Sequence, residues 1–62
     1  MFNFLSKSKI LVIDDFAGFR QTIKTMLGRL GAHHIDQSSN GSEAIKRCSE
    51  ENYNIIFCDY NL

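Results

Sequence analysis

Two short apolar runs, each followed at once by aspartate, constrain this chain more than any other feature. The first run covers residues 9–13 and precedes Asp14 and Asp15, and the second covers residues 53–58 and precedes Asp59. A continuous apolar run of this length is typical of a strand that is buried on both faces, as in a parallel sheet. We therefore predict two buried parallel strands with acidic side chains at their carboxyl ends.

The segment between the runs carries the pattern of an amphipathic helix. From Phe16 to Leu30 the apolar residues recur at steps of three, four, three, one and three, which predicts one apolar face. Gly31 follows directly, where a left-handed C-terminal cap favours glycine. Residues 32–38 are weakly patterned and predict an edge strand, with Ile35 as its core residue.

A second helix is predicted over residues 41–51. Asn40 is a favourable N-cap residue, and Glu43 lies three positions later, the spacing of a reciprocal capping box. The element order is then strand, helix, strand, helix, strand. Such alternation predicts an α/β fold with right-handed crossovers, a parallel sheet, and helices on both faces.

Composition narrows the functional classes. A chain of 62 residues forms at most one small domain, and its formal net charge is zero, so no strong field attracts nucleic acid or anionic lipid. Two cysteines are too few for a disulfide scaffold, and neither a secretory leader nor an apolar run of about 20 residues is present. We expect Cys48, on the apolar stripe of the second helix, and Cys58, in the third strand, to be small apolar fillers. We expect a cytoplasmic protein without membrane or nucleic-acid contacts.

The aspartates predict a cation site. If the two apolar strands are neighbours, Asp14, Asp15 and Asp59 meet at one edge of the sheet, where ligands of open parallel sheets bind. Carboxylates that lie so near one another favour binding of a hard cation, Mg²⁺ or Mn²⁺. The alternative is that Asp14 and Asp15 cap a helix and Asp59 forms a turn. One acid suffices for a cap, so the acidic pair favours the cation site.

Four motifs taken together resemble the first half of a response-regulator receiver domain from two-component signalling. They are Lys-Ile-Leu-Val-Ile-Asp-Asp at 9–15, Phe19-Arg20, Asn-Gly-Ser-Glu-Ala at 40–44, and Ile-Ile-Phe-Cys-Asp-Tyr-Asn-Leu at 55–62. The resemblance implies the N-terminal half of a flavodoxin-like, doubly wound parallel sheet with strand order 2-1-3. The truncated domain then occupies residues 9–62 after an N-terminal tail at 1–8, in which Phe2 and Phe4 are candidates to cover apolar surface.

The resemblance also implies a function in a bacterial phosphorelay. Asp59 is the expected phosphoacceptor, with a histidine kinase or phosphotransfer protein as donor, and the domain is regulatory rather than an enzyme beyond Mg²⁺-dependent self-phosphorylation. The implied Mg²⁺ ligands are Asp14, Asp15, Asp59 and the backbone carbonyl of Asn61. The implied partner contacts on the first helix are Phe19, Arg20 and Ile23.

This chain departs from the family by ending after the third strand. The later Ser or Thr and Lys that hold the phosphoryl group are not in the sequence, so we expect phosphorylation of this chain alone to be slow or absent. The third strand is left as a bare edge, which favours a homodimer through that edge or by domain swapping.

Two other functions remain as alternatives. One is a structural, self-assembling fragment without ligand. The other is an aspartyl-phosphate hydrolase of the haloacid-dehalogenase type, against which Asn61 argues because that class needs Asp there.

Overall fold

The computed structural model describes residues 4–59, which form six elements around one parallel sheet. They are α1 (Phe4–Lys7), β1 (Lys9–Ile13), α2 (Ala17–Arg29), β2 (His34–Ser38), α3 (Gly41–Glu50) and β3 (Ile55–Cys58). The strand order is β2-β1-β3, so β1 is central. The predicted α/β class, parallel sheet and strand order 2-1-3 are confirmed.

The register brings the carboxyl ends of the three strands to one edge of the sheet. Ile13, the last residue of β1, lies beside Ser38 of β2 and beside Cys58 of β3. The next residues, Asp14 and Asp59, therefore leave the sheet side by side. This edge is where the sequence predicted the acidic residues to meet.

The core lies on both faces of β1, whose apolar residues alternate between the two helices. On the α2 face, the buried residues are Ile10, Val12, Leu27 and Ala32, with Leu5, Ile23, Ile35 and Ile55 packed against them. On the α3 face, Leu11, Ile13 and Ala44 are buried, with Tyr53 packed against them. Each fully buried aliphatic side chain of this size contributes about 1.5–3 kcal/mol. The prediction that β1 is buried on both faces is confirmed.

The C-terminus of α2 is closed by a Schellman motif around Gly31. The φ angle of Gly31 is 107°, in the left-handed region predicted for a cap. Its N–H donates to the carbonyl of Gly28 at 3.1 Å, and the Ala32 N–H donates to the carbonyl of Leu27 at 3.0 Å. These bonds satisfy carbonyl groups at the helix end and turn the chain toward β2.

The N-terminus of α3 is held by Asn40, as predicted. The Oδ1 atom of Asn40 accepts a hydrogen bond from the Glu43 N–H at 2.8 Å. The Glu43 carboxylate accepts a hydrogen bond from the hydroxyl of Ser39 at 3.4 Å. Helix α3 ends at Glu50, one residue before the predicted end.

The segment predicted to be an N-terminal tail contains one helical turn, α1. Leu5 packs against the core on the α2 face, which gives the turn an apolar anchor. The Ser8 hydroxyl donates to the Phe4 carbonyl at 3.0 Å. Phe4 itself is 59% exposed, so it covers little apolar surface within the described residues. Phe2 lies outside the described residues.

Strand β3 is much more exposed than its apolar sequence predicted. Ile56 is 50% exposed and Phe57 is 42% exposed, and among residues 4–59 β3 is an edge strand that has only β1 beside it. Cys58 and Cys48 are also exposed, so their predicted role as buried apolar fillers is wrong. In α3, Ala44 alone among the described residues is buried, which leaves Cys48 outside the contact with the sheet.

Candidate functional site

The candidate site is the acidic edge, which we define as Asp14, Asp15 and Asp59 at the carboxyl end of the sheet. The Asp59 N–H donates to the Ile13 carbonyl at 3.0 Å, and the Asp14 N–H donates to the Ser38 carbonyl at 3.1 Å. These two bonds extend the strand ladders by one residue. Neighbouring strands lie about 4.8 Å apart, so the backbones of Asp14 and Asp59 are adjacent.

Asp14 is the buried member of the acidic edge, at 5% exposure. Its Oδ1 accepts a hydrogen bond from the Phe16 N–H at 2.8 Å, directly before α2 begins. Its backbone carbonyl accepts from Nη1 of Arg20 at 2.5 Å. Phe16 is the N-cap residue of α2, and no side chain caps this helix, so Asp14 forms a turn before the helix and does not cap it as the alternative expected. Asp15 and Asp59 are exposed.

The structure places the three carboxylates at one edge without gathering them into a metal-binding group. Within residues 4–59, no cluster of three or more His, Cys, Asp or Glu side chains is arranged to hold a metal ion. Like charges repel at short distance, and the Asp14 carboxylate turns toward the Phe16 N–H. The donors fit Mg²⁺ chemically, because carboxylate oxygens suit a hard cation. Asn61, the fourth predicted ligand, lies outside the described residues.

An apolar groove of about 140 Å³ lies beside the acidic edge, between α2 and β3. It is lined by Val12, Ile13, Phe19, Ile23, Phe57, Cys58 and Asp59. Two of the three predicted partner contacts, Phe19 and Ile23, thus border the predicted phosphoacceptor. The third, Arg20, is hydrogen-bonded to Asp14 and to the Gln37 Oε1 atom, the latter at 3.2 Å.

One polar contact on the α3 face has no local sequence signal. The Tyr53 hydroxyl donates to Oδ2 of Asp36 at 2.5 Å, joining the segment before β3 to β2. Burial, followed by the Asp36 carboxylate, raises the pKa of Tyr53 to about 12 against an opposing effect of Arg47. The partners are separated along the chain, so only the strand order brings them together. The contact stabilises the sheet that carries the acidic edge.

Sequence similarity to a known protein family supports the same interpretation as this geometry. A family model described as the response regulator receiver domain matches residues 10–62, which is most of the chain. The chain belongs to the receiver domain family. The family membership that the sequence motifs indicated is confirmed. Receiver domains are regulatory modules of two-component signalling that generally depend on Mg²⁺ and interact with histidine kinases or phosphotransfer proteins.

Curated relatives of this receiver domain come from several kinds of signalling protein. It is 41% identical over 54 residues to the transcriptional regulatory protein ResD of Bacillus subtilis, covering 87% of this chain and 22% of ResD. Over 57 residues it is 35% identical to the hybrid signal transduction histidine kinase F of Dictyostelium discoideum, covering 92% of this chain and 5% of that kinase. Over 54 residues it is 32% identical to the chemotaxis protein CheY of Pseudomonas aeruginosa, covering 87% of this chain and 44% of CheY.

The receiver domain sequence thus spans less than half the length of each of these relatives. No solved structure matches the chain significantly. In the part of the chain that the structure describes, no helix is both long and apolar enough to cross a membrane.

Proposed function

We propose that Asp59 accepts a phosphoryl group from a phosphohistidine on a histidine kinase or phosphotransfer protein. The observation that carries this proposal is the hydrogen bond from the Asp59 N–H to Ile13, which fixes Asp59 beside Asp14 at the carboxyl end of the sheet. The exposure of Asp59 allows a donor to reach it. Because the donor is itself a two-component protein, we propose a cytoplasmic location.

The transfer requires little of the protein beyond a positioned oxygen nucleophile. A carboxylate oxygen of Asp59 forms a bond to phosphorus as the bond from phosphorus to the donor imidazole nitrogen breaks. The nitrogen keeps the electron pair, and the product is an acyl phosphate on Asp59. Asp14, Asp15, Asp59 and the backbone carbonyl of Asn61 would hold Mg²⁺. When bound, that ion neutralises the charge on the phosphoryl oxygens.

None of the described lysines follows the carboxyl end of a strand: Lys7 and Lys9 lie before or at the start of β1, Lys24 is in α2 and Lys46 is in α3. Lys9 lies at the amino end of β1 and pairs with Glu51, at the end of the sheet opposite the acidic edge. We therefore expect phosphorylation of this chain alone to be slow or absent. Incubation with a small acyl phosphate and Mg²⁺, followed by mass spectrometry, measures this rate. Rapid labelling of Asp59 would contradict the expectation.

The proposed cation site is tested with Mn²⁺ as the probe, since free Mn²⁺ is counted directly by electron paramagnetic resonance. We expect the chain to bind one Mn²⁺ that Mg²⁺ displaces. Asp15→Asn and Asp59→Asn should each weaken binding. Glu50→Gln removes one negative charge from an exposed position of α3 and should leave binding unchanged. Absence of binding, or equal loss in all three variants, would overturn the proposal.

We also propose that Phe19 and Ile23 contact the phosphohistidine donor, because both border the apolar groove that ends at Asp59. Phe19 is 38% exposed and is accessible to a docking protein. Phe19→Ala should further slow phosphoryl transfer from a protein donor and leave the low rate of labelling by a small acyl phosphate unchanged. Leu30→Ala, at an exposed residue that follows α2, is the control. Equal transfer rates from the protein donor in both variants would contradict this contact.

The exposed edge of β3 favours self-association as a second function. Among residues 4–59, β3 pairs with β1 on one side only. Since the Asp59 N–H points to β1, the alternation of the ladder turns the backbone groups of Ile56 and Cys58 outward. Residues Ile55–Cys58 carry no charge, so two copies meet without repulsion between strands. The proposed occupant is an antiparallel β3 strand of a second copy.

Sedimentation velocity tests this pairing. We expect a concentration-dependent dimer of the wild-type chain that Ile56→Lys abolishes, because two lysines would then lie at the joined edge. Ile45→Lys changes a residue of α3 that is 74% exposed and should leave the dimer intact. A monomer at high concentration, or equal effects of both substitutions, would refute the pairing. A domain-swapped dimer would instead persist in Ile56→Lys.

A further inference from the structure

Arg20 makes two side-chain hydrogen bonds that join three elements of the fold. Nη1 donates to the backbone carbonyl of Asp14 at 2.5 Å, and Nε donates to Oε1 of Gln37 at 3.2 Å. Asp14 follows β1, Gln37 lies in β2, and Arg20 is in the first turn of α2. The guanidinium group can satisfy both acceptors at once because its donors are fixed in one plane.

The bond from Arg20 to the Asp14 carbonyl adds to two other hydrogen bonds that hold Asp14, the first residue of the acidic edge. The Asp14 N–H is held by the Ser38 carbonyl at 3.1 Å, and Oδ1 of Asp14 accepts from the Phe16 N–H at 2.8 Å. With the bond from Arg20 to its carbonyl, the backbone of Asp14 is fixed at both peptide groups. The direction in which the next residue, Asp15, leaves the sheet depends on that peptide unit.

The charge of Arg20 and its geometry have opposite effects on a cation. A positive guanidinium near the acidic edge repels a divalent ion, so charge alone would weaken cation binding. A fixed Asp14 backbone lowers the entropy lost when Asp14 and Asp15 come together around an ion, so geometry would strengthen binding. A substitution that retains the positive charge but removes the planar set of guanidinium donors separates the two effects.

We propose, on the basis of the cation site proposed above, that Arg20 is a positioning residue. Held by Gln37, it fixes the backbone of the turn at residues 14–16, so that only the Asp14 and Asp15 side chains have to move together when a divalent cation binds. Arg20 does not touch the ion in this account. Gln37 serves as the second support, because it orients the guanidinium from the neighbouring strand.

The test compares Arg20→Lys, Gln37→Ala and their combination. Lysine keeps the positive charge, but a single ammonium group does not reproduce the planar fork. We expect each single substitution to weaken Mn²⁺ binding by about two- to tenfold, the range that one net hydrogen bond produces. The double variant should bind no more weakly than Arg20→Lys alone, because both changes remove the same support. Lys24→Gln, one turn further along α2, is the control and should bind like the wild type.

A second readout needs no metal. The Phe16 N–H donates to Asp14, so its rate of hydrogen exchange reports how firmly the turn is held. We expect Phe16 to exchange faster in Arg20→Lys and Gln37→Ala, while the Leu11 N–H in the central strand keeps its wild-type rate. General destabilisation would accelerate exchange at both positions.

The outcomes separate this inference from the proposed cation site. If the wild-type chain binds Mn²⁺ and Arg20→Lys binds it equally well, the role of Arg20 is refuted and the cation site stands. If the double variant loses as much Mn²⁺ affinity as the two single variants together, Arg20 and Gln37 do not act as one support, and that part of the proposal is also refuted. If the wild-type chain binds no ion, the cation site is wrong and the positioning role falls with it. Unchanged exchange at Phe16 refutes the role independently of the metal.

Discussion

Replacing Tyr53 by Phe removes one hydroxyl group and leaves the aromatic ring in place. In the wild-type chain this hydroxyl donates to the Asp36 carboxylate at 2.5 Å, across the α3 face of the sheet. The ring packs against the core residues Leu11, Ile13 and Ala44 and should continue to do so. The variant therefore reports the net contribution of the hydroxyl, which includes its interaction with Arg47 as well as the hydrogen bond to Asp36.

The expected loss is a large part of the stability of so small a chain. A hydrogen bond to a charged group contributes about 1.5–3 kcal/mol, and since Asp36 and Tyr53 are only partly buried we expect about 1–2 kcal/mol. A folded chain of 62 residues has a total free energy of unfolding of about 3–9 kcal/mol. In a domain of this size each 1 kcal/mol lowers the melting temperature by about 4–8 °C.

The pH dependence gives the same contact a second signature. The pKa of Tyr53 is raised from its ordinary value to about 12, first by burial and then by Asp36, while Arg47 opposes the shift. The neutral phenol is thus favoured in the folded state. The stabilisation is fully present below the ordinary tyrosine pKa of about 10 and is lost as pH rises from there toward 12.

Urea unfolding followed by circular dichroism measures both effects. At neutral pH, Tyr53→Phe should unfold at lower urea concentration than the wild type, and the difference should shrink above about pH 10. Asp36→Asn tests the partner, and the double variant should be less destabilised than the sum of the single variants. Equal stability of Tyr53→Phe and wild type, or a difference that does not change with pH, would refute this account of the contact.

Three further substitutions test the fold. Leu11→Ala empties a fully buried site in the central strand and should cost about 2–5 kcal/mol, enough to unfold much of the chain, whereas the exposed Leu30→Ala should have little effect in thermal melting. Asn40→Ala removes the acceptor for the Glu43 N–H and should cost about 0.5–2 kcal/mol, measured by urea unfolding; an unchanged midpoint would contradict its capping role. Gly31→Ala forces a side chain onto a residue with φ of 107° and should lower the melting temperature, and an unchanged or higher value would contradict the Schellman cap.

The sequence predicted most of the fold because local patterns and topology agree in this chain. The apolar run at Lys9–Ile13 predicted burial on both faces, and the alternation of helices and strands predicted a parallel sheet. The central position of β1 was implied by the resemblance to receiver domains and not by the alternation. Gly31 and Asn40 marked helix ends through local chemistry alone. The apolar run and the two helix-end residues are signals that act within a few residues of the chain.

The errors arise where burial depends on distant parts of the molecule. Strand β3 has the composition of a buried strand, yet Ile56 and Phe57 are exposed at the edge of the described sheet. Cys48 follows the apolar stripe of α3, but the helix contacts the sheet mainly through Ala44. Sequence periodicity gives the direction of a side chain and does not show whether another element lies there.

The sequence predicted at which edge of the sheet the candidate site lies, but it did not predict the hydrogen bonds around Asp14. The sequence placed Asp14, Asp15 and Asp59 at one edge because strand ends in a parallel sheet must coincide. It gave no sign that Asp14 accepts from the Phe16 N–H, nor that Arg20 is hydrogen-bonded to the Asp14 carbonyl. Those contacts depend on the turn between β1 and α2, which only the folded chain defines.

The most direct test of the central claim is a Mg²⁺ titration followed by amide nuclear magnetic resonance of the whole chain. If the acidic edge holds the ion, saturable shifts should be concentrated at Asp14, Asp15, Asp59 and Asn61. Asp59→Asn should weaken the response and Glu50→Gln should preserve it. A well-dispersed spectrum that Mg²⁺ leaves unchanged would show a folded chain without a cation site, and would contradict the account.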